Sequence, residues 1–244
     1  MKISRTSNVN AHRDSWVEVN IDNVSNNIKE LKKCIPQDKK FLAVVKADSY
    51  GHGAAMLAPT MLASGVDMFG VASTDEALNL RENGVTAEIL ILGAAPIWAL
   101  PTVVENNLTI TIFSEEHLES CIQTYERTKI PVKAHIKLDT GMNRIGVSHK
   151  DAVEFIKKVQ SMESIDLKGI FSHLANAEIK EKTEQQLAIW EDVISQINTD
   201  GLLLHILNTA GIITSNVYKC TYNMVRGGIG LYGLYPDLIS EAQH

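Results

Sequence analysis

Short apolar runs alternate with amphipathic stretches along nearly the whole chain. Runs rich in β-branched and aromatic residues predict strands, and apolar residues at helical spacing between them predict helices. Eight strands are predicted at residues 41–46, 68–72, 88–92, 108–113, 132–138, 167–173, 202–208 and 222–229. Helices are predicted between them at residues 54–64, 75–83, 115–127, 151–162 and 184–197, with a weaker pattern at 210–214. Ser114 and Ser148 are predicted to cap two of these helices, because a serine oxygen can accept a backbone N–H at a helix start.

The order of these elements indicates the fold class. Parallel strands need a long connection, and the segments between predicted strands are long enough for a helix. Eight such units favour an α/β fold of the TIM-barrel type, a closed (β/α)8 barrel, over an open doubly wound sheet. No Gly-x-Gly-x-x-Gly fingerprint of a dinucleotide fold follows the first strand. The sequence predicts one domain over residues 1–240, and an alternating run at residues 16–21 predicts an extra N-terminal strand.

Composition and charge narrow the class of protein. The chain has 244 residues, of which 45% are hydrophobic, enough for a full core. Its net charge of −6 and the lack of basic clusters argue against a nucleic-acid partner. Three widely separated cysteines without ligand spacing predict reduced thiols and no metal site. The sequence has no signal peptide and no apolar run of membrane-spanning length, so we expect a cytoplasmic protein without membrane contact.

Lys46 is the first residue that indicates chemistry. It closes the apolar run 41–45 and is followed at once by the glycine-rich turn 47–53. An amine at the end of a buried strand is desolvated, which favours its neutral, nucleophilic form, and such an amine can form a Schiff base with an aldehyde. The same pattern is equally compatible with a lysine whose amine reaches out into water. The choice between the two depends on the residues that share its surroundings.

In a barrel, the carboxyl ends of the strands and the loops after them share one mouth. The predicted strands bring an amine, a phenol, two guanidiniums and an imidazole to that mouth, from Lys46, Tyr50, Arg144, Arg226 and His173. The glycine-rich turn 227–230 and the residues after strand seven lie where barrels commonly bind a phosphate group through backbone N–H donors. A Schiff-base lysine, a phosphate site and an imidazole in one mouth describe a site for pyridoxal phosphate.

Three motifs resemble those of the bacterial alanine racemase family. They are AVVKADSYGHG (43–53), KLDTGMNRIG (137–146) and NMVRGGIGLYG (223–233), and the opening HRDSWVEV (12–19) is similar as well. The similarity runs from about residue 12 to residue 236, in the family's order and spacing. This resemblance implies a pyridoxal-phosphate-binding (β/α)8 barrel of the alanine racemase N-terminal type.

Within that resemblance, each matching residue takes the family's role. Lys46 would hold the cofactor as an internal aldimine and act as one of two acid–base groups at Cα of the substrate. His173 would lie against the cofactor ring, and Arg226 would face the pyridine nitrogen. Arg144 would hydrogen-bond the phenolic oxygen near the substrate, and Lys137 matches a position that is often carbamylated, where the added negative charge would orient Arg144. The phosphate would be held by Tyr50, Thr209 and the backbone at Gly228 and Ile229, and Asn208 would also bind the cofactor.

Simpler interpretations exist for several polar residues. Lys137 is also explained as a residue that shapes the loop after strand five. His135 and His205 lie inside strands and are predicted to belong to the barrel interior. The acid-rich helix 76–82 is predicted to be a solvated surface.

The chain departs from the family in two places. Thr209 replaces a serine and keeps the hydroxyl. The family continues after the segment that ends here at Pro236 into a C-terminal β-domain, which supplies a catalytic tyrosine and most of the dimer interface. We therefore expect this chain to be the barrel fragment, without that domain, and to racemise weakly or not at all alone.

The resemblance implies an alanine racemase, an isomerase that interconverts L- and D-alanine and supplies D-alanine for peptidoglycan. Such an enzyme would act on a small amino acid with pyridoxal 5'-phosphate and would be a homodimer when complete. Two alternatives stay open. A serine racemase of the same family shares these motifs, whereas a non-catalytic pyridoxal-phosphate homeostasis protein has a single barrel of about this length but lacks the Tyr-Gly-His-Gly turn found here at 50–53.

Overall fold

The computed structural model describes residues 16–236 of the chain. Parallel strands and their connecting helices form a nearly closed (β/α)8 barrel, so the predicted fold class is confirmed. The first part of the opening motif, and the ends of the predicted domain at 1–15 and 237–240, lie outside the described residues. Within the described part, no helix combines the length and the apolar character that crossing a membrane requires.

All eight predicted strands are present, with ends shifted by up to a few residues. The strands are β1 (Lys40–Val44), β2 (Met68–Val71), β3 (Glu88–Ala94), β4 (Thr109–Ile112), β5 (Val132–Asp139), β6 (Val147–Ser148), β7 (Ile165–Phe171), β8 (Leu203–His205) and β9 (Met224–Gly227). The helical segments are α1 (Ile21–Lys33), α2 (Lys46–Gly51), α3 (Ala54–Ala63), α4 (Thr74–Glu82), α5 (Leu100–Glu105), α6 (Glu115–Thr128), α7 (Ala152–Gln160), α8 (Lys180–Ile194) and α9 (Thr209–Ile213).

The barrel strands pair in the order β8-β7-β5-β4-β3-β2-β1-β9, and each pair is parallel. The short strand β6, which the sequence did not predict, pairs with the end of β5. Individual hydrogen bonds bridge the seam between β8 and β9: Asn223 N–H donates to the carbonyl of Leu204, and Arg226 N–H to that of Leu207, both at 3.0 Å. The carboxyl ends of all these strands therefore surround one mouth.

Alternation along β1 shows why both faces of the sheet are apolar. Phe41, Ala43 and Val45 pack into the large core between the sheet and the helices. Leu42 and Val44 point the other way and form a separate cluster in the barrel interior, with Met68, Leu90 and Met224. A parallel strand buried on both faces reads as a continuous apolar run, which is the pattern that predicted it.

The extra N-terminal strand predicted at residues 16–21 is wrong for this structure. Residues 16–20 have no regular secondary structure, and Ile21 begins helix α1. A strand needs a hydrogen-bonding neighbour, whereas Asn20 starts a helix because its side-chain oxygen accepts the N–H groups of Asp22 and Asn23. The helix was not predicted, although Val24, Ile28 and Leu31 have helical spacing and are buried.

The other helix boundaries follow local capping chemistry. Ser114 caps α6 as predicted, since its Oγ accepts the N–H of His117. The predicted cap at Ser148 is wrong: α7 begins at Ala152, and the Oγ of Ser148 accepts the N–H of Lys150 instead. Helix α5 was also missed, because its six residues are too few to show a clear period.

Arg81 joins two connections at the amino ends of β3 and β4, opposite the mouth. Its guanidinium donates to the carbonyls of Val85 and Ala87 at 2.7 Å, and to those of Asn106 and Asn107 at 3.0 and 2.9 Å. The planar fork of an arginine can satisfy four carbonyls at once, and a lysine ammonium cannot reproduce that arrangement.

We expect Arg81→Lys to lower the free energy of unfolding by about 1 kcal/mol, because partly buried carbonyls lose charged donors. Arg127→Lys is the matched control, since Arg127 is exposed in α6. Denaturant unfolding measures both. Equal stability of the two variants would contradict this account of Arg81.

Candidate active site

A cavity of about 510 Å³ opens at the carboxyl ends of the barrel strands. Every residue that the sequence placed in the site lines it: Lys46, Tyr50, Lys137, Arg144, His173, Asn208, Thr209, Arg226, Gly228 and Ile229. Apolar and small residues complete the wall, among them Val44, Ala72, Leu92, Gly93 and Phe171. The barrel topology therefore brings together side chains that are far apart in the sequence.

Lys46 lies in a left-handed turn, not at the end of a strand. Strand β1 ends at Val44, and the next turn has φ between 50° and 56° at all four residues from Ala47 to Tyr50. Lys46 is exposed, with its Nζ 5.7 Å from the centre of the Tyr50 ring. Of the two interpretations that the sequence left open, the structure shows the exposed amine, because the strand ends two residues before the predicted end at residue 46.

Hydroxyl and backbone groups form an open cradle around Gly228. The Oγ1 of Thr209 accepts the N–H groups of Gly228 and Gly230, at 3.0 and 3.4 Å. A Cβ at Gly228 would lie 3.6 Å from the Tyr50 hydroxyl and 3.7 Å from Thr209 Oγ1, so a side chain there would occupy the space between them. Burial raises the pKa of Tyr50, so its hydroxyl remains a hydrogen-bond donor at neutral pH.

The guanidinium of Arg226 is buried in the floor of the cavity. Its Nη1 lies 2.8 Å from Nδ1 of His205, and its Nη2 donates to the carbonyl of Ser172 at 2.7 Å and lies 3.2 Å from Nδ1 of His173. Burial lowers the pKa of Arg226 to about 9, which still leaves it charged at neutral pH. Arginine has only donors, so the facing nitrogens of both imidazoles must be acceptors.

The tautomer of His205 in turn determines how its ring contacts His135. With Nδ1 accepting from Arg226, neutral His205 carries its proton on Nε2, which lies 2.8 Å from Nδ1 of His135. Burial and then the charge of Arg226 lower the pKa of His205 well below its ordinary value and that of His135 to about 3. Both residues lie in the barrel interior as predicted, and they fix the orientation of Arg226. Burial, followed by the charges of Arg226 and Lys137, also lowers the pKa of His173 well below its ordinary value.

Lys137 has its amine in the barrel interior, 4.9 Å from the centre of the Phe171 ring. The residue is 2% exposed. Burial, followed by the charges of Arg226 and Arg144, lowers the pKa of Lys137 to about 7. A large fraction of this amine is therefore neutral near pH 7, and a neutral amine is nucleophilic.

Two further side chains support the loops that line the cavity. Asp139 Oδ1 accepts the N–H groups of Gly141 and Asn143, which folds the loop that carries Arg144. Gln186 was missed by the sequence analysis: its Nε2 donates to the carbonyl of His173 at 3.0 Å, and its Oε1 accepts the N–H of Ala175. One glutamine within an amphipathic helix carries no local signal of such a role.

The fold places this chain in the (β/α)8 barrel class. Its cationic site, with a lysine, two arginines and a glycine-rich turn, lies at the carboxyl ends of the strands. The family described as "Alanine racemase, N-terminal domain" matches residues 19–236. The chain therefore belongs to the alanine racemase family, and the family predicted from the motifs is confirmed.

Individual relatives agree with that assignment. "Alanine racemase 1" of Oceanobacillus iheyensis is 37% identical over 234 residues, which is 93% of this chain and 62% of that protein. The solved alanine racemase of Clostridium difficile 630 superimposes with a TM-score of 0.88 at 35% identity, covering 93% of this chain and 61% of that one. A histidine racemase of Leuconostoc mesenteroides has a TM-score of 0.83 at 28% identity, over 92% and 60% of the two chains. The chain thus spans about three fifths of the length of these relatives.

The lowered pKa of Lys137 makes its contribution to stability pH-dependent. Below pH about 7 the folded state holds a desolvated cation, whereas between about 7 and 10.5 only the unfolded state is protonated, so stability rises with pH over that window. We expect Lys137→Met to be more stable than the parent at pH 7, with a difference that shrinks as the pH rises.

Unfolding measured at several pH values between about 7 and 9.5 would test this. In this range the pH is below the ordinary pKa of lysine, so the unfolded state stays protonated. Lys150→Met is the control, because Lys150 is exposed. The comparison uses protein prepared without bicarbonate, with its mass checked for an added carboxyl group. A difference that does not change with pH would contradict the assigned environment of Lys137.

Proposed function

We propose that this chain is the cofactor-binding barrel of a pyridoxal-phosphate-dependent amino-acid racemase that interconverts L- and D-alanine. The observation that carries the proposal is the convergence of Lys46, the cradle at Gly228 and the Arg226–His173 pair in one cavity. The family membership supports the reaction type. By the same proposal, residues 1–240 form one domain, the complete protein is a cytoplasmic homodimer, and its D-alanine enters peptidoglycan.

The residues present fit pyridoxal phosphate. The space between Tyr50 and Thr209, which a Cβ at Gly228 would fill, suits a phosphate group, and Asn208 and Ile229 border it. Hydroxyl and backbone N–H donors around a phosphate are the usual protein partners of that group. His173 would lie against the ring. When bound, the cofactor supplies an aldehyde for the amine of Lys46 and a ring that accepts electron density from Cα of the substrate.

Arg226 sets the electronic character of this site. A carboxylate facing the pyridine nitrogen would keep that nitrogen protonated, whereas a guanidinium has no acceptor and offers it only donors. The buried acceptors around Arg226 hold the guanidinium in place. By offering that nitrogen only donors, Arg226 would favour proton exchange at Cα over transamination.

Lys46 and Arg144 are proposed to act at the substrate. The exposed amine of Lys46 at the cavity mouth can remove or return the proton at Cα from one face. Arg144 would hydrogen-bond the phenolic oxygen of the cofactor. A carbamylated Lys137 would place a negative charge beside Arg144, and the lowered pKa of the Lys137 amine supports that modification, because carbon dioxide reacts with the neutral form.

Alanine is the substrate that the relatives' names favour, and the racemase family membership favours a racemase over a homeostasis protein. Serine differs from alanine by one hydroxyl and stays the alternative at the level of substrate. The solved histidine racemase relative indicates that this barrel type is compatible with a larger side chain, so comparison of alanine, serine and histidine belongs in the first assay.

We expect borohydride to fix the cofactor on Lys46. The 244-residue chain is incubated with pyridoxal phosphate, reduced and digested, and the labelled lysine is located by mass spectrometry. Lys46→Ala should abolish the label with little change in melting temperature, because its side chain is exposed, whereas Lys150→Ala should keep it. A label on another lysine, or no binding by the parent, would refute the proposed function.

Proton exchange at Cα should exceed racemisation in this chain alone. Lys46 serves one face of Cα, and the resemblance assigns the opposite face to a tyrosine of the family's C-terminal β-domain. Loss of one acid–base group typically costs about 10²–10⁴-fold. In D2O, starting from one enantiomer of alanine, NMR should show deuterium entering Cα roughly 10²-fold faster than chiral chromatography shows the other enantiomer appearing. Equal rates would mean that a group within this chain serves the second face.

A further inference from the structure

Glu76 joins the turn that carries Lys46 to the end of the neighbouring strand. Its Oε1 accepts the N–H of Ala47 at 2.8 Å, and its Oε2 accepts the N–H of Ala72 at 2.7 Å. Ala47 directly follows Lys46, and Ala72 directly follows β2 and lines the cavity. One carboxylate therefore connects two adjacent loops of the mouth. The sequence predicted a solvated surface for helix 76–82 and gave no sign that both oxygens of Glu76 accept from the backbone.

Helix capping explains only part of this arrangement. Ser73 and Glu76 have the spacing of a capping box, and the Oγ of Ser73 accepts the N–H of Glu76. In such a box the glutamate carboxylate accepts the N–H of the N-cap residue itself. Here the carboxylate reaches the residue before the cap, Ala72, and also crosses to Ala47 in another element. Capping of α4 gives no reason for the second bond.

The bond to Ala47 falls at the strained start of the left-handed turn. Ala47 is the first of four consecutive non-glycine residues with positive φ, a conformation that L-residues adopt at a cost. The far end of the turn is held by Asp48, whose Oδ1 accepts the N–H of Ala54 at 2.7 Å and whose carbonyl accepts that of Gly53. The near end, beside Lys46, is held by Glu76.

We propose that Glu76 is a positioning residue for Lys46: it holds the left-handed turn against the end of β2 and so keeps the amine at the cavity. The inference rests on the proposed function, in which Lys46 binds the cofactor. Each of the two N–H donors is met by its own oxygen, and a carboxylate provides both oxygens with the strength of a charged acceptor. A glutamine offers one oxygen and sets an NH₂ donor against the other N–H.

Glu76→Gln tests the inference, with Glu82→Gln as control, because Glu82 makes the same charge change at an exposed site on the same helix. Amide hydrogen exchange is measured without cofactor. We expect exchange at Ala47 and Ala72 to be about tenfold faster in Glu76→Gln and unchanged in Glu82→Gln. This arm depends only on the hydrogen bonds and not on the proposed function.

The second arm uses pyridoxal phosphate and separates attachment from binding. Total bound cofactor and the fraction that borohydride fixes on Lys46 are measured in both variants. The cradle at Gly228 is untouched, so we expect Glu76→Gln to retain bound cofactor while the fixed fraction falls several-fold. Glu76→Asp keeps both oxygens on a shorter arm and should give a fixed fraction between those of the parent and Glu76→Gln.

Three results have defined meanings. Unchanged exchange and unchanged fixation in Glu76→Gln would overturn the inference. In a second result, bound and fixed cofactor fall in equal proportion and follow the melting temperatures of the Gln and Asp variants. This would assign Glu76 a purely structural role and would also overturn the inference. Failure of the parent to bind cofactor would refute the proposed function instead, and the exchange arm would still decide whether Glu76 holds the turn.

Discussion

The burial of one guanidinium in the barrel interior is the constraint on which the rest of the cavity depends. Arg226 is 3% exposed, and a charge removed from water is tolerable only when its donors are satisfied. Carbonyls of β8 and of the segment after β7 accept from it, so the three strands at the seam are held in one arrangement. For the same reason, the imidazoles of His173 and His205 that face the guanidinium must be neutral acceptors. The protonation states of these three side chains therefore depend on one another.

Basic side chains outnumber acidic ones in the lining of the cavity. Lys46, Lys137, Arg144 and Arg226 line the cavity, and within residues 16–236 the carboxylate among its lining residues is that of Glu178. This imbalance lowers the pKa of His173 and Lys137 beyond what burial alone does. A bound anion would restore the balance, so the phosphate and the substrate carboxylate of the proposed reaction would stabilise the barrel that binds them.

How well each feature was predicted depends on whether its cause is visible in the local sequence. Strands buried on both faces appear as apolar runs, so β1 and its partners were predictable, and their order placed Lys46, Arg144 and Arg226 at one mouth. The choice between a buried and an exposed Lys46 could not be made from the sequence, since the backbone leaves β1 early and enters a left-handed turn that no apolar pattern reveals. Glu76 and Gln186 were missed as supports because their partners are backbone groups distant in sequence, and such partners leave no trace in local composition.

In the left-handed turn, an exposed residue is not necessarily one that can be replaced freely. Surface positions normally accept most residues, and Ala47 and Asp48 are both exposed. Their torsion angles nevertheless set the choice of residue: glycine, asparagine and aspartate adopt positive φ at low cost, whereas valine, isoleucine and threonine do not. In a library randomised at residues 47 and 48, the surviving sequences would be limited by backbone handedness and not by packing, although both side chains are exposed.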